Sequence, residues 1–168
     1  MHIRTEKSYY ACGALHTRHY YYDSRLHRND GPAVEIFHPD GTPEACVWYN
    51  QGKRHRTGGP SSEFFYKDGS LLSRLYYVDD RLHRVDGPAR ESFFKEQKIS
   101  FREWFNHGKR HRDDGPAEEV FLRTRNLNVA GGILTTVLTA RMVRPLNGLR
   151  LLVLLLPVYG NLTASSIA

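Results

Sequence analysis

Apolar and aromatic residues in the first three quarters of this chain recur at one fixed interval instead of following a helical stripe. Phe37, Phe65, Phe93 and Phe121 lie 28 residues apart. So do Trp48, Tyr76 and Trp104, each followed by a second aromatic, Tyr49, Tyr77 or Phe105. Tyr20 and Tyr21 continue both columns backwards into an incomplete first unit. Polar residues keep the same interval: Glu35, Glu63, Glu91 and Glu119 each stand two positions before a Phe. A sustained period of this length marks a repeat array, in which each unit buries apolar surface on its neighbour.

Within a unit the pattern predicts hairpins. Asp40-Gly41 and Asp68-Gly69, with Glu96-Gln97 as a degenerate third copy, separate runs rich in aromatic and β-branched residues. Such a turn wants positive φ, which Gly supplies cheaply. The predicted hairpins join residues 34–38 to 42–49, 61–67 to 70–78, and 90–95 to 98–105. Residues 1–125 carry no helical period. Connectors such as 50–60 run between hairpins, with Gly52 and Gly108 at turns and a proline that fixes φ before the next strand. The predicted fold is therefore all-β, an antiparallel β-hairpin repeat array forming a twisted ribbon or solenoid. Its strands would sit about 4.8 Å apart, so equivalent residues would recur about every 10 Å.

The connectors carry the candidate chemistry. His-Arg-x-x-Gly-Pro occurs four times, at His27-Arg28, His55-Arg56, His83-Arg84 and His111-Arg112, followed in register by Gly31-Pro32, Gly59-Pro60, Gly87-Pro88 and Gly115-Pro116. Asp30, Asp86 and Asp114, with Gly58 as the exception, could cap the same turn. The Glu column shares a strand face with the Phe column. If that face is buried, each Glu needs an Arg or His partner from a neighbouring connector. Two readings of the His-Arg ladder follow: a structural hydrogen-bond ladder with Asp and Glu, or a row of exposed cations for binding. The structural one leads, because the glutamates need partners. The Phe column and Trp48, Tyr76 and Trp104 are expected to stack as the core.

The segments Trp48-Tyr-Asn-Gln-Gly-Lys-Arg-His-Arg56 and Trp104-Phe-Asn-His-Gly-Lys-Arg-His-Arg112 resemble the core of a MORN repeat, with its aromatic pair, Gly-Lys turn and His. The Leu-His-Arg-x-Asp-Gly-Pro-Ala form at Leu26–Ala33 and Leu82–Ala89 resembles divergent MORN variants. The resemblance spans roughly residues 13–123, and it departs from the family in its 28-residue period and in Arg28, Arg56, Arg84 and Arg112, where the family has a glycine. It implies a MORN-like scaffold, protein-interaction or lipid-headgroup module without catalytic residues.

Composition sharpens this picture at two points. The chain has 168 residues and a formal net charge of +6; of its 24 Lys and Arg, three (Arg141, Arg144, Arg150) lie in residues 126–168, which hold no acid, leaving 21 against 18 Asp and Glu in 1–125. Bases and acids are thus interspersed in the array, whereas nucleic-acid binding favours a concentrated basic footprint. Nucleic acid is an unfavoured partner for that reason. Two cysteines, Cys12 and Cys46, are too few for a disulfide framework. With no apolar h-region at MHIRTEKSYY, they suggest a reducing, cytoplasmic setting.

Catalytic and metal-binding patterns are missing from the sequence. Cys12, His16 and His19 form a metal-like cluster, but strand positions three apart point to opposite faces. Cys46 stands in a column otherwise filled by Arg18, Arg74 and Arg102 and reads as an ordinary substitution, not as a nucleophile. No cofactor and no enzymatic activity are expected. Residues 126–168 form a separate, apolar tail with the run Leu151–Leu156. Three readings of it stand side by side: a marginal membrane anchor flanked by arginines, a helix capping the open end of the array, and a segment without selected structure. The leading functional expectation is a non-enzymatic scaffold for an unknown protein partner. The alternative is a peripheral membrane module whose Arg/His ladder meets anionic headgroups while the tail anchors it. Homodimerisation through the open array ends is a further expectation.

Overall fold

The computed structural model describes residues 3–121 in full, and beyond them only the backbone of strands at Leu127–Val129, Gly132–Leu134, Leu138–Val143 and Arg150–Leu155. None of the described residues is helical, and no helix among them is long and apolar enough to cross a membrane. The cap and anchor readings of the tail fall mainly on residues outside those described.

The array is an antiparallel meander. Its strands run in chain order across one sheet: Ile3–Tyr9, Leu15–Tyr22, Val34–Phe37, Pro43–Val47, Ser62–Phe65, Leu71–Leu75, Arg90–Phe93, Ile99–Glu103 and Glu118–Val120. The short strand Arg25–Leu26 pairs with Leu15–Tyr22 and completes a 10-stranded sheet. The three predicted hairpins are all present. A fourth, Ile3–Tyr9 with Leu15–Tyr22, precedes them. In that first hairpin Lys7 occupies the Glu column and Tyr9 the Phe column, so the repeat is present but degenerate in sequence.

Each long hairpin turns through a three-residue loop. His38 N–H bonds the Thr42 carbonyl at 2.8 Å, and Gly41, at φ 85°, donates back to the His38 carbonyl at 2.9 Å. A glycine in this left-handed position ending a short loop is a favoured hairpin solution. The degenerate copy places Gln97 there at φ 58°. The Asp40 and Asp68 carboxylates hold the turns by accepting the N–H of Thr42 and Ser70, both at 3.0 Å.

The connectors are more regular than their sequence suggests. Each contains a miniature hairpin, for example Tyr49–Asn50 with Lys53–Arg54, or Phe105–Asn106 with Lys109–Arg110. Both central residues of every such turn have positive φ: Asp23 and Ser24, Gln51 and Gly52, Asp79 and Asp80, His107 and Gly108. That is the two-residue turn whose twist matches antiparallel strands. Successive miniature hairpins bond to one another. Gly52 N–H donates to the Leu26 carbonyl at 2.8 Å, Asp80 N–H to Arg54 at 3.2 Å, and Gly108 N–H to Leu82 at 2.8 Å. A second row of hairpins therefore runs beside the main sheet.

The apolar core is thin. Among the described residues the buried apolar ones are Ala33, Ala45, Ala89 and Phe93. Ala33 and Ala89 belong to a small-residue column that follows each Gly-Pro, continued by the fully buried Ser61 and by Ala117. Phe37, Phe65 and Phe121, like Trp48, Tyr76 and Trp104, are half-buried. A single-layer sheet has no facing sheet to enclose these rings. Arginine stems and guanidinium groups cover these rings instead, all but Phe65.

Candidate functional site

The His-Arg-x-x-Gly-Pro motif is a clasp. The backbone N–H of His27, His55, His83 and His111 donates to the carbonyl of Tyr20, Trp48, Tyr76 and Trp104, at 3.0 to 3.2 Å. The next residue, Arg, folds its guanidinium over that same aromatic ring. Arg28 lies 4.1 Å from the Tyr20 centroid, Arg56 3.9 Å from Trp48, Arg84 4.0 Å from Tyr76 and Arg112 3.9 Å from Trp104. Its Nη1 donates to the carbonyl of the proline four residues on, at 3.1 to 3.4 Å. The motif glycine lets the guanidinium lie so close: a Cβ at Gly31 would sit 2.9 Å from Arg28 Cζ, and one at Gly59 3.2 Å from Arg56 Cζ. A guanidinium held against an aromatic face gains about 0.5–2 kcal/mol, depending on how dry the site is.

The same arginines reach the Glu column. The pairs are Arg28–Glu35 at 3.7 Å, Arg56–Glu63 at 3.8 Å, Arg84–Glu91 at 3.4 Å and Arg112–Glu119 at 3.0 Å. A second set of cations meets these carboxylates from the neighbouring strands. Reading directly across the sheet, the register is Arg18, Glu35, Cys46, Glu63, Arg74, Glu91, Arg102, Glu119. Charges alternate along this row except at Cys46. The strand arginines also cap the Phe column, Arg18 over Phe37, Arg74 over Phe93 and Arg102 over Phe121, at 5.5 to 5.8 Å. Burial, together with Glu35 and Glu63 on either side, pushes the Cys46 thiol up to about 11, so it stays protonated near neutrality. An inert thiol of this kind is a poor nucleophile.

The histidines divide into two pairs. The Nδ1 of His27 accepts the backbone N–H of Gln51, and the Nδ1 of His83 accepts that of His107, both at 3.3 Å. His83 also stacks on the His107 ring at 4.0 Å. Its pKa is lowered, first by burial and then by His107, which favours the neutral ring. His55 and His111 instead face carboxylates, Asp79 at 3.7 Å and Asp113 at 3.0 Å. Away from the connectors, Cys12 is exposed, His16 lies against the Tyr10 ring at 4.3 Å and His19 against Tyr21.

The histidine pairing exposes a longer period of 56 residues. First and third connectors carry Leu26 and Leu82 where the second and fourth carry Arg54 and Arg110. At the far end of the sheet the Tyr10 and Tyr66 hydroxyls, again 56 apart, donate to the carbonyls of Phe37 and Phe93 at 2.8 and 3.0 Å. Two matching grooves follow the same spacing. One, of about 660 Å³, is lined by His27, Arg28, Trp48, Asn50 and His55; the other, of about 670 Å³, by His83, Arg84, Trp104, Asn106 and His111. Both are open to solvent and mix aromatic edges, imidazoles and amides. Their equivalence was legible in the sequence as the repeated Trp, Asn and Arg at 48, 50 and 54 and at 104, 106 and 110.

Comparison of the chain with protein-family models, with curated proteins and with solved structures gives no match.

Proposed function

We propose that this chain is a non-enzymatic, MORN-like repeat scaffold that holds a protein partner along its connector side. The observation that carries the reading is the pair of grooves, alike in lining and volume and separated by 56 residues. Repeat arrays commonly present such extended, periodic surfaces to partners. Half-buried Trp48 and Trp104 beside exposed Asn50 and Asn106 supply the mix of aromatic anchor and hydrogen-bonding rim found at protein interfaces. The alternative, anionic headgroups on the Arg ladder, draws less support. Each connector arginine already has a glutamate within 4 Å and an aromatic ring beneath it.

The test is site-specific photo-crosslinking in cells, with the reactive group at Asn50, at Asn106 and, as a control on the hairpin-tip side, at Lys95. The scaffold reading expects one and the same protein joined at Asn50 and Asn106 and absent from Lys95. No protein adduct at either groove, together with salt-sensitive flotation on anionic liposomes, would replace it with the membrane reading.

A further inference from the structure

Among the described residues the first strand, Ile3–Tyr9, ends the sheet, and all seven of its residues are exposed. An open edge of this length is a template for another strand unless something protects it. Its hydrogen-bonding side can be read from its neighbour. Tyr20 lies directly opposite Thr5. The Tyr20 N–H donates to Ala33 and its carbonyl accepts from His27, so both groups face away from Thr5. In an antiparallel ladder this parity alternates. Thr5 therefore turns its own N–H and carbonyl outward, and Ile3 and Lys7 do the same.

We propose that this edge pairs with the same edge of a second copy, antiparallel, with Thr5 on the two-fold axis. In that register Thr5 forms the hydrogen-bonded pair with Thr5 of the other copy. Arg4 then stands opposite Glu6 and Glu6 opposite Arg4, in the closer, non-hydrogen-bonded positions where side chains interact most. The two residues already share a face, with Arg4 Nη2 3.2 Å from Glu6 Oε1 in the same strand. Each carboxylate would thus lie between two guanidiniums. Ile3, 76% exposed, would gain cover from the stem of Lys7. The other two-fold registers centred on residues 4 to 7 bring like charges together: one residue either way sets Glu6 against Glu6 or Arg4 against Arg4, and two residues on sets Lys7 against Lys7. Charge therefore selects the Thr5-centred register from among these four. The pairing is isologous, as a two-fold contact must be. It would join the two sheets into a single one with the connector rows continuing on both sides.

The experiment is sedimentation velocity of the full chain over a range of concentrations, at low and high salt. Wild type is expected to dimerise, and more weakly in high salt. Arg4→Glu alone and Glu6→Arg alone should each weaken the dimer about tenfold or more by placing like charges opposite one another. The double variant, Arg4→Glu with Glu6→Arg, should restore it. Thr5→Pro should abolish it, because proline removes the outward N–H while remaining tolerated on an edge strand. Circular dichroism checks that each variant stays folded; all three positions are exposed. A wild-type chain that is monomeric at every concentration overturns the proposal. So does a dimer indifferent to Arg4→Glu, which would place self-association elsewhere on the chain.

Discussion

Two halves of the cross-sheet charge row differ in one residue. In the C-terminal half, Glu91 lies between Arg74 at 2.6 Å, Arg84 at 3.4 Å and Arg102 at 3.8 Å, and its side chain is 5% exposed. Glu119 is 8% exposed. In the N-terminal half Cys46 takes the place of an arginine. The flanking Glu35 and Glu63 are 18% and 26% exposed, and their connector arginines stand back at 3.7 and 3.8 Å. The comparison shows what closes this fold. With so little apolar core, the strand arginines serve both as charge partners and as lids over the Phe rings. Where one is missing, Phe65 loses its lid and two carboxylates stay wetter.

The largest effect should come from breaking the tight half. Arg84→Ala removes a lid from Tyr76, a donor from the Pro88 carbonyl and a partner from nearly buried Glu91. Its cost is expected to be about 2 kcal/mol in urea unfolding, while Arg56→Ala in the looser half should cost about 1 kcal/mol. Equal losses would show that the row is not graded.

Next comes the clasp itself. Gly31→Ala drives a methyl into Arg28, whose Cζ is 2.9 Å away, and should lower stability by about 1 kcal/mol. The same change at Gly41, where open space surrounds the Cβ but φ is 85°, would act through backbone strain instead. An additional Arg28→Ala substitution should therefore remove most of the Gly31→Ala penalty and none of the Gly41→Ala penalty.

Filling the gap should make the halves alike. Cys46→Arg places a guanidinium between Glu35 and Glu63 and over Phe65, and is expected to raise stability by roughly 0.5–1 kcal/mol. A lowered melting temperature would mean that the site has no room for the longer stem.

The smallest effect is one of pH. The lowered His83 pKa means that the unfolded chain binds this proton more readily than the folded one. The contribution of a neutral His83 is therefore present above pH 6.5, the ordinary value, and is lost as pH falls through the lowered folded value. His83→Gln should flatten the acid side of the stability profile over that window, and proton-detected titration of the imidazole would confirm which ring is responsible.

Much of this architecture was legible in the amino-acid order. The 28-residue columns and the Asp-Gly loops sufficed for the sheet, because hairpin turns are set by local residues. The miniature hairpins were harder to see. Gln51-Gly52 and His107-Gly108 are good turn pairs, but their flanking strands are two residues long, too short to show alternation. Arg28 and Tyr20 are eight positions apart across such a turn, so their stacking could not be read until the turn was known. Cys46 was visible as an odd member of the Arg column. Its meaning depended on strand register, which places that column opposite the Glu column. The 56-residue period was written in Leu26, Arg54, Leu82 and Arg110, yet stacking the copies at 28 residues averages over it.

The bonds between successive units, among the described residues, join positions no more than 27 apart, as in Gln51 to His27, Arg54 to Asp80 and Tyr10 to Phe37. Such wiring keeps contact order low for a β protein, and low contact order goes with fast folding. A nascent chain leaving the ribosome could therefore lay down each unit on the one just finished, without waiting for its far end. Unfolding would run the other way, fraying from the outermost units inward.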